Sequence, residues 1–259
     1  MDLHLNNKVI VVSGGAKGIG AAIAKALAIE NALPVIIGRD EADNIKLVEE
    51  IGQMGFKAGY VTAELSRPEN CKMAIDTILA QYKTIDGLVN NAGVNDGVGL
   101  ENGSYEAFME SLHKNVVHYY LLAQHALPAL KESRGAIVNI GSKTAETGQG
   151  GTSGYAAANG GRNALTREWA VELLPYSIRV NAIIVAEAWT PLYKTWISSF
   201  ANAEEKLKSI TDKIPLEKRM TKVEEIADMA VFLLSGRSSH TTGQLIHVDG
   251  GYVHLDRSL

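Results

Sequence analysis

The chain predicts an α/β fold, one doubly wound parallel sheet of about seven strands with helices on both faces, and three observations carry that prediction. Short β-branched runs alternate with longer helical stretches, the pattern of strands joined through crossover helices. Several runs, such as Val9-Ile10-Val11-Val12 and Ala136-Ile137-Val138, are apolar at consecutive rather than alternate positions, as suits strands covered on both sides. No repeat, low-complexity tract or Pro/Ser-rich linker divides the 259 residues, so a single domain over residues 1–259 is expected.

Taken in order, strands are expected at Val9–Ser13, Pro34–Gly38, Lys57–Thr62, Asp86–Asn90, Gly135–Ile140, Ser177–Ile183 and Gln244–Val248. Helical periodicity fills the intervals Ile19–Glu30, Glu41–Met54, Pro68–Tyr82, Ser104–Lys131, Ser153–Leu174 and Val223–Leu234. The stretch from Glu187 to Lys213 breaks the alternation. Its Trp189, Pro191, Trp196 and Phe200 mark it as a small substrate lobe, at about 187–213, laid over a cleft.

Composition excludes several classes. With 25 basic and 29 acidic side chains the formal net charge is −4, the wrong sign for a nucleic-acid binder. One cysteine, Cys71, cannot close an internal disulfide, and no Cys/His zinc spacing is present. His113, His118 and His125 are separated by five and seven residues, spacings that do not bring two imidazoles to one metal, so no metal site is expected. No apolar run approaches the roughly 18 residues of a membrane helix, and Met1 to Lys8 lacks the basic-then-apolar pattern of a secretory signal. The expectation is a cytoplasmic enzyme acting on a small molecule, without nucleic-acid or membrane partners.

The first strand runs into Ser13-Gly14-Gly15-Ala16-Lys17-Gly18-Ile19-Gly20, with glycines at 14, 18 and 20 opening the first helix. Glycine admits a tight turn and lets backbone approach a pyrophosphate, whose charge suits a helix N-terminus. An ordinary Gly-rich turn has the same composition, but the position at the first strand–helix junction favours a dinucleotide. The end of the second strand discriminates between dinucleotides, because an acid there binds the ribose diol of NAD. Here the strand ends Ile36-Ile37-Gly38-Arg39. With Lys17 and Arg39 nearby and no acid at the strand end, NADP is favoured over NAD, through a guanidinium that can hold a phosphate by paired hydrogen bonds. Asp40 weighs against that reading, as does the alternative that Arg39 is a solvated surface charge.

Five fragments in order then resemble the short-chain dehydrogenase/reductase family: Asn90-Asn91-Ala92-Gly93, Asn115, Ser142, Tyr155 thirteen residues later, and Asp249-Gly250-Gly251. The resemblance runs essentially the full length and implies a Rossmann-like fold. It implies a nicotinamide cofactor held by Gly14, Lys17, Gly18, Ile19, Gly20, Arg39, Glu64, Leu65, Asn91, Ala92, Gly93, Ala188 and Thr190, together with Tyr155 and position 159. It assigns Tyr155 the proton exchanged with the substrate oxygen and Ser142 the orientation of that oxygen. Asn115 and position 159 complete the implied catalytic set.

The departure is at 159. The family has Tyr-x-x-x-Lys, whereas this chain reads Tyr155-Ala156-Ala157-Ala158-Asn159. Four residues is one helical turn, so Asn159 lies on the face of Tyr155 but brings no charge to favour a phenolate. Three readings stay open: a slow enzyme with an alkaline optimum, Lys143 as the substitute cation, or a catalytically silent NADP(H)-binding regulator.

Smaller features, Ser142-Lys143-Thr144-Ala145, Thr147-Gly148-Gln149-Gly150, Thr190-Pro191-Leu192-Tyr193 and the tail through Asp256-Arg257, resemble sugar dehydrogenases of the L-fucose dehydrogenase type. That resemblance implies oxidation of an aldose to its lactone. Gln149, Glu187, Trp189 and Trp196, with Ser142 and Tyr155, are the candidate substrate residues, Glu187 and the tryptophans having surface charge and lobe packing as their alternatives. Reduction of a non-sugar carbonyl is the rival chemistry. The family resemblance also implies a homotetramer paired through the long helices.

Overall fold

The computed structural model describes residues 2–255; Asp256 and Arg257 of the tail lie outside them. The seven strands β1 (Val9–Ser13), β2 (Leu33–Gly38), β3 (Gly59–Thr62), β4 (Gly87–Asn90), β5 (Ala136–Ser142), β6 (Arg179–Val185) and β7 (Leu245–Val248) form one sheet in the order β3-β2-β1-β4-β5-β6-β7. Every neighbouring pair is parallel. The chain winds outward from β1 in one direction and from β4 in the other. The switch point therefore lies between β1 and β4, where a crevice opens beyond the strand ends.

Two hydrophobic layers sandwich the sheet. Within β1, Ile10 and Val12 face one cluster and Val9 and Val11 the other, the period-two alternation of a strand covered on both sides. One layer holds α1 (Gly18–Ile29), α2 (Glu41–Gln53) and α9 (Val223–Leu234), through Ile23, Leu27, Leu47, Ile51, Ile226 and Leu233. The other holds α3 (Pro68–Tyr82), α5 (His118–Ser133) and α6 (Ser153–Glu172), through Ile75, Ile78, Leu122, Leu130 and Trp169. Cys71 belongs to this second layer, where burial pushes its thiol up to about 12 and leaves it protonated.

The single helix expected over Ser104–Lys131 is interrupted. It consists of α4 (Tyr105–Leu112), a π-helical turn at His113–Val117, and α5. The extra residue of a π-turn shifts the helical face, and Asn115 sits inside that turn, fully buried. Its amide donates to Ser111 O at 2.9 Å and its oxygen accepts from Val94 N at 2.8 Å, so one side chain ties the helix to the loop after β4. The segment between β6 and α9 carries two short helices, α7 (Pro191–Ser198) and α8 (Ala203–Thr211). Among the described residues no helix is long and apolar enough to cross a membrane.

Candidate active site

The nucleotide end is a backbone construction at the switch point. Gly14 and Gly18 adopt φ of +61° and +56°, left-handed values that a side chain would strain. A Cβ on Gly14 would also come within 2.8 Å of Ala92 Cα. Helix α1 starts at Gly18 with no side chain capping its N-terminus and no acid in its first turn, which leaves free amides and a positive dipole end toward the crevice. That arrangement fits the pyrophosphate of a dinucleotide. Asn91 locks the turn across the switch point: its amide donates to Ser13 O at 3.0 Å and Gly14 O at 3.1 Å. The backbone amides of Asn91 and Ala92 donate to Ser13 Oγ. Thr190 caps α7 by accepting from Tyr193 N, and its side chain faces the open side of Gly18. Ala188 accepts from Thr190 N, and Ile19 packs against the core.

The charges at this end are exposed and partnered. Lys17 pairs with Asp43 at 2.5 Å, and Arg39, 82 % exposed as a side chain, lies 3.9 Å from Glu64. Asp40 is the N-cap of α2, accepting from Asp43 N at 3.1 Å. Leu65 gives its side chain to the core beneath β3.

The chemical end is built from buried polar groups. Ser142 closes β5, is 8 % exposed, and accepts from Thr144 N and Oγ1 at 3.3 and 3.1 Å. Tyr155 sits half-buried in the first turn of α6, which packs along the turn after Ser142. Helix α6 is held to the sheet by a polar chain: Asn90 donates to Asn139 at 3.0 Å, Asn139 to Thr166 at 2.9 Å, and Thr166 to Arg162 O at 2.8 Å.

Asn159 is fully buried, with both polar atoms used. Its nitrogen donates to Tyr155 O at 2.8 Å and its oxygen accepts from Arg162 Nη1 at 3.0 Å. Lys143 is held in an ion pair with Glu187, both side chains nearly buried, and its ammonium lies 4.1 Å above the Tyr252 ring. Glu187 also accepts from the Tyr193 hydroxyl at 2.7 Å. Burial first, and then that hydrogen bond, pushes Tyr193 far up, so it stays a phenol. Lys143 is thereby neutralised by its own carboxylate.

The lobe uses its aromatics mainly on itself. Tyr193, Trp196 and Phe200 stack edge to face at 5.2 and 5.0 Å, and Trp189 lines a groove of about 400 Å³ with Leu207, Lys208 and Met220. Gln149 is exposed on the segment before α6. Elsewhere, His247 on β7 lies 3.1 Å from Glu146, and His254 stacks on His247.

A family model described as enoyl-(acyl carrier protein) reductase matches residues 14–253. The mouse L-fucose dehydrogenase is 34% identical over 247 residues, 95% of this chain and 88% of that protein. The chain belongs to the short-chain dehydrogenase/reductase family. It is accordingly an oxidoreductase of CH–OH groups that works with a nicotinamide cofactor. The crystal structure of Cj0485 dehydrogenase superimposes with a TM-score of 0.95 at 43% identity, covering 100% of this chain and 99% of that one. L-sorbose reductase from Gluconobacter frateurii, solved with NADPH and L-sorbose, matches at 0.94 with 25% identity over 99% and 100%.

The sequence singles out Tyr155, Ser142, Asn115 and the Gly-rich turn. Arg162 is passed over there, and Tyr193 and Tyr252 enter only inside longer fragments, without a role of their own. A signal for the first existed: Arg162 is the seventh residue after Tyr155 and the third after Asn159, hence on their face of the helix.

Proposed function

We propose that this dehydrogenase oxidises an aldose of the L-fucose class at its anomeric carbon to the lactone, with NADP⁺ as acceptor. The observation that carries the sugar reading is the buried Lys143–Glu187 pair directly after Ser142, joined by the Tyr193 hydroxyl. Such a cluster offers donors and acceptors to a polyol and rejects analogues that leave them unpaired. The likeness to L-fucose dehydrogenase and to L-sorbose reductase supports the same class. Bound nicotinamide supplies the hydride acceptor. Tyr155 takes the hydroxyl proton while Ser142 holds the same oxygen. The free amides of α1 take the pyrophosphate, and Lys17 and Arg39 reach for a 2′-phosphate against their resident carboxylates, so the preference over NAD is small. The exposed Tyr105, Tyr120 and Val171 along α4, α5 and α6 support a homotetramer.

A screen of aldoses, simple alcohols, hydroxysteroids and 3-hydroxyacyl thioesters against NADP⁺ and NAD⁺ tests this. The expected outcome is 6-deoxyhexose oxidation with lactone as the product. Turnover confined to the non-sugar substrates overturns the reading.

A further inference from the structure

Beneath Tyr155 lies a cation that no carboxylate answers. Arg162 is 3 % exposed, and its partners among the described residues are all neutral. Nε donates to Asn115 O at 2.6 Å, Nη1 to Ile140 O at 3.1 Å and to Asn159 Oδ1 at 3.0 Å, and Nη2 lies 3.5 Å from Asn115 Oδ1. A guanidinium out of water with only carbonyl and amide acceptors is a costly arrangement. It becomes favourable if an anion forms beside it. Two phenols lie against it: the Tyr119 ring at 4.3 Å and the Tyr155 ring at 6.0 Å. Tyr119 is fully buried, donates to Ile140 O at 3.1 Å, and is pushed well up by burial, so it remains a phenol. Tyr155 is the ring of the two that stays partly exposed.

The other titratable groups around this site do not compete. His118 of α5 is kept neutral, by burial first and the Arg162 charge second. Lys114 in the π-turn directs its ammonium to Glu110 at 3.4 Å, and Lys143 beyond β5 is paired with Glu187. The π-turn, β5 and the loop after β4 otherwise face Arg162 with carbonyls, Asn115 and glycine. Room for the guanidinium is specific: a Cβ on Gly93 would lie 2.7 Å from Arg162 Nη2 and 2.9 Å from Asn115 Oδ1.

We propose that Arg162 is the positioning residue that supplies the positive charge to Tyr155, taking over from two turns along α6 what a lysine at 159 supplies elsewhere in the family. Helical side chains lean toward the N-terminus. The long arginine therefore reaches back over Asn159, which serves as its hydrogen-bonding spacer rather than as a cation. During oxidation the substrate O–H proton passes to the Tyr155 oxygen and the guanidinium keeps all its protons. Its charge stabilises the phenolate form that accepts that proton, and it exchanges none itself.

The inference rests on Tyr155 carrying the proton, and the test separates the two. Arg162→Gln removes the charge and keeps donors; Arg162→Lys keeps the charge; Asn159→Lys is made alone and with Arg162→Gln. Tyrosinate absorbance is titrated without substrate, Tyr155→Phe identifying the relevant step, and kcat/KM is followed from pH 6 to 10. In Arg162→Gln the tyrosinate step is expected to move alkaline. Turnover near pH 7 should fall about 10–100-fold, the deficit closing as pH rises. Arg162→Lys should stay within about tenfold of the parent, Asn159→Lys/Arg162→Gln should recover about tenfold over Arg162→Gln, and Asn159→Lys alone should bring no gain. An unmoved step and profile in Arg162→Gln, or a deficit equal at every pH that neither lysine repairs, overturns the proposal. If Arg162→Gln does not fold, Asn159→Lys alone decides, because a large gain with an acid-shifted profile shows that no resident charge was present. If the tyrosinate step moves as expected but no sugar is oxidised, the substrate reading fails and this one stands.

Discussion

The two ends of the crevice are built by different means. At the nucleotide end, specificity of shape comes from backbone: two left-handed glycines, an uncapped helix and the Asn91 clamp, while the charges stand in solvent beside their partners. At the chemical end the charges are inside, with Arg162, Lys143 and Glu187 almost wholly removed from water. An exposed charge is screened and replaceable. A buried one must be answered by a neighbour. The contrast is that the chemical end surrounds Asn159 with buried charge held by specific neighbours, whereas the nucleotide end is recognisable because its backbone requirements leave little choice of residue.

The sharpest break of that contrast is Tyr155→Phe. Removing the proposed proton acceptor is expected to lower kcat by about 10²–10⁴-fold, with a far smaller loss of cofactor affinity read by quenching of protein fluorescence. Loss of cofactor binding in parallel would mean that the two ends are not independent. Next, Glu187→Gln strands the Lys143 ammonium in a nearly buried site, and urea unfolding should show a loss of about 3–5 kcal/mol. The double change Lys143→Met with Glu187→Leu should return most of that stability without returning sugar oxidation.

A smaller effect concerns acid. His118 is held neutral with its pKa lowered to about 3, by burial first and Arg162 second, and its Nδ1 has no partner among the described residues. The unfolded chain takes up that proton below about 6.5, so the fold loses stability as pH falls from there toward 3, by at most about 1.4 kcal/mol per pH unit. Urea midpoints at pH 7 and 4.5 should lie closer together in His118→Gln than in the parent. The smallest change is expected at the nucleotide end. Arg39→Ser should reduce the ratio of kcat/KM for NADP⁺ over NAD⁺ by less than about tenfold, because an exposed, screened cation contributes about 1 kcal/mol or less. A loss of a hundredfold would show that Arg39 leaves Glu64 and is held by the 2′-phosphate.

Strand positions, the Gly-rich turn and the Ser142/Tyr155 spacing were all legible in the linear chain, because each rests on local periodicity or on a residue's own backbone freedom. Helix interruption was not: nothing local in Ser104–Lys131 announces a π-turn, whose extra residue is held by Asn115 reaching Val94 across the fold. The same limit applied to charge. Asn159 read as a missing cation, and Lys143 as its possible substitute, because both lie next to the motif in sequence. Glu187 lies 44 residues beyond Lys143 and engages it, and Arg162 reaches Asn115, 47 residues earlier.

Periodicity and glycine placement determined the doubly wound sheet and the nucleotide crevice from the chain alone, since hydrophobic alternation and backbone torsion are properties of neighbouring residues. Which cation answers which anion was decided only by the folded molecule, since the strength of a charge depends on how much water the surrounding elements remove and on which partners they bring within reach.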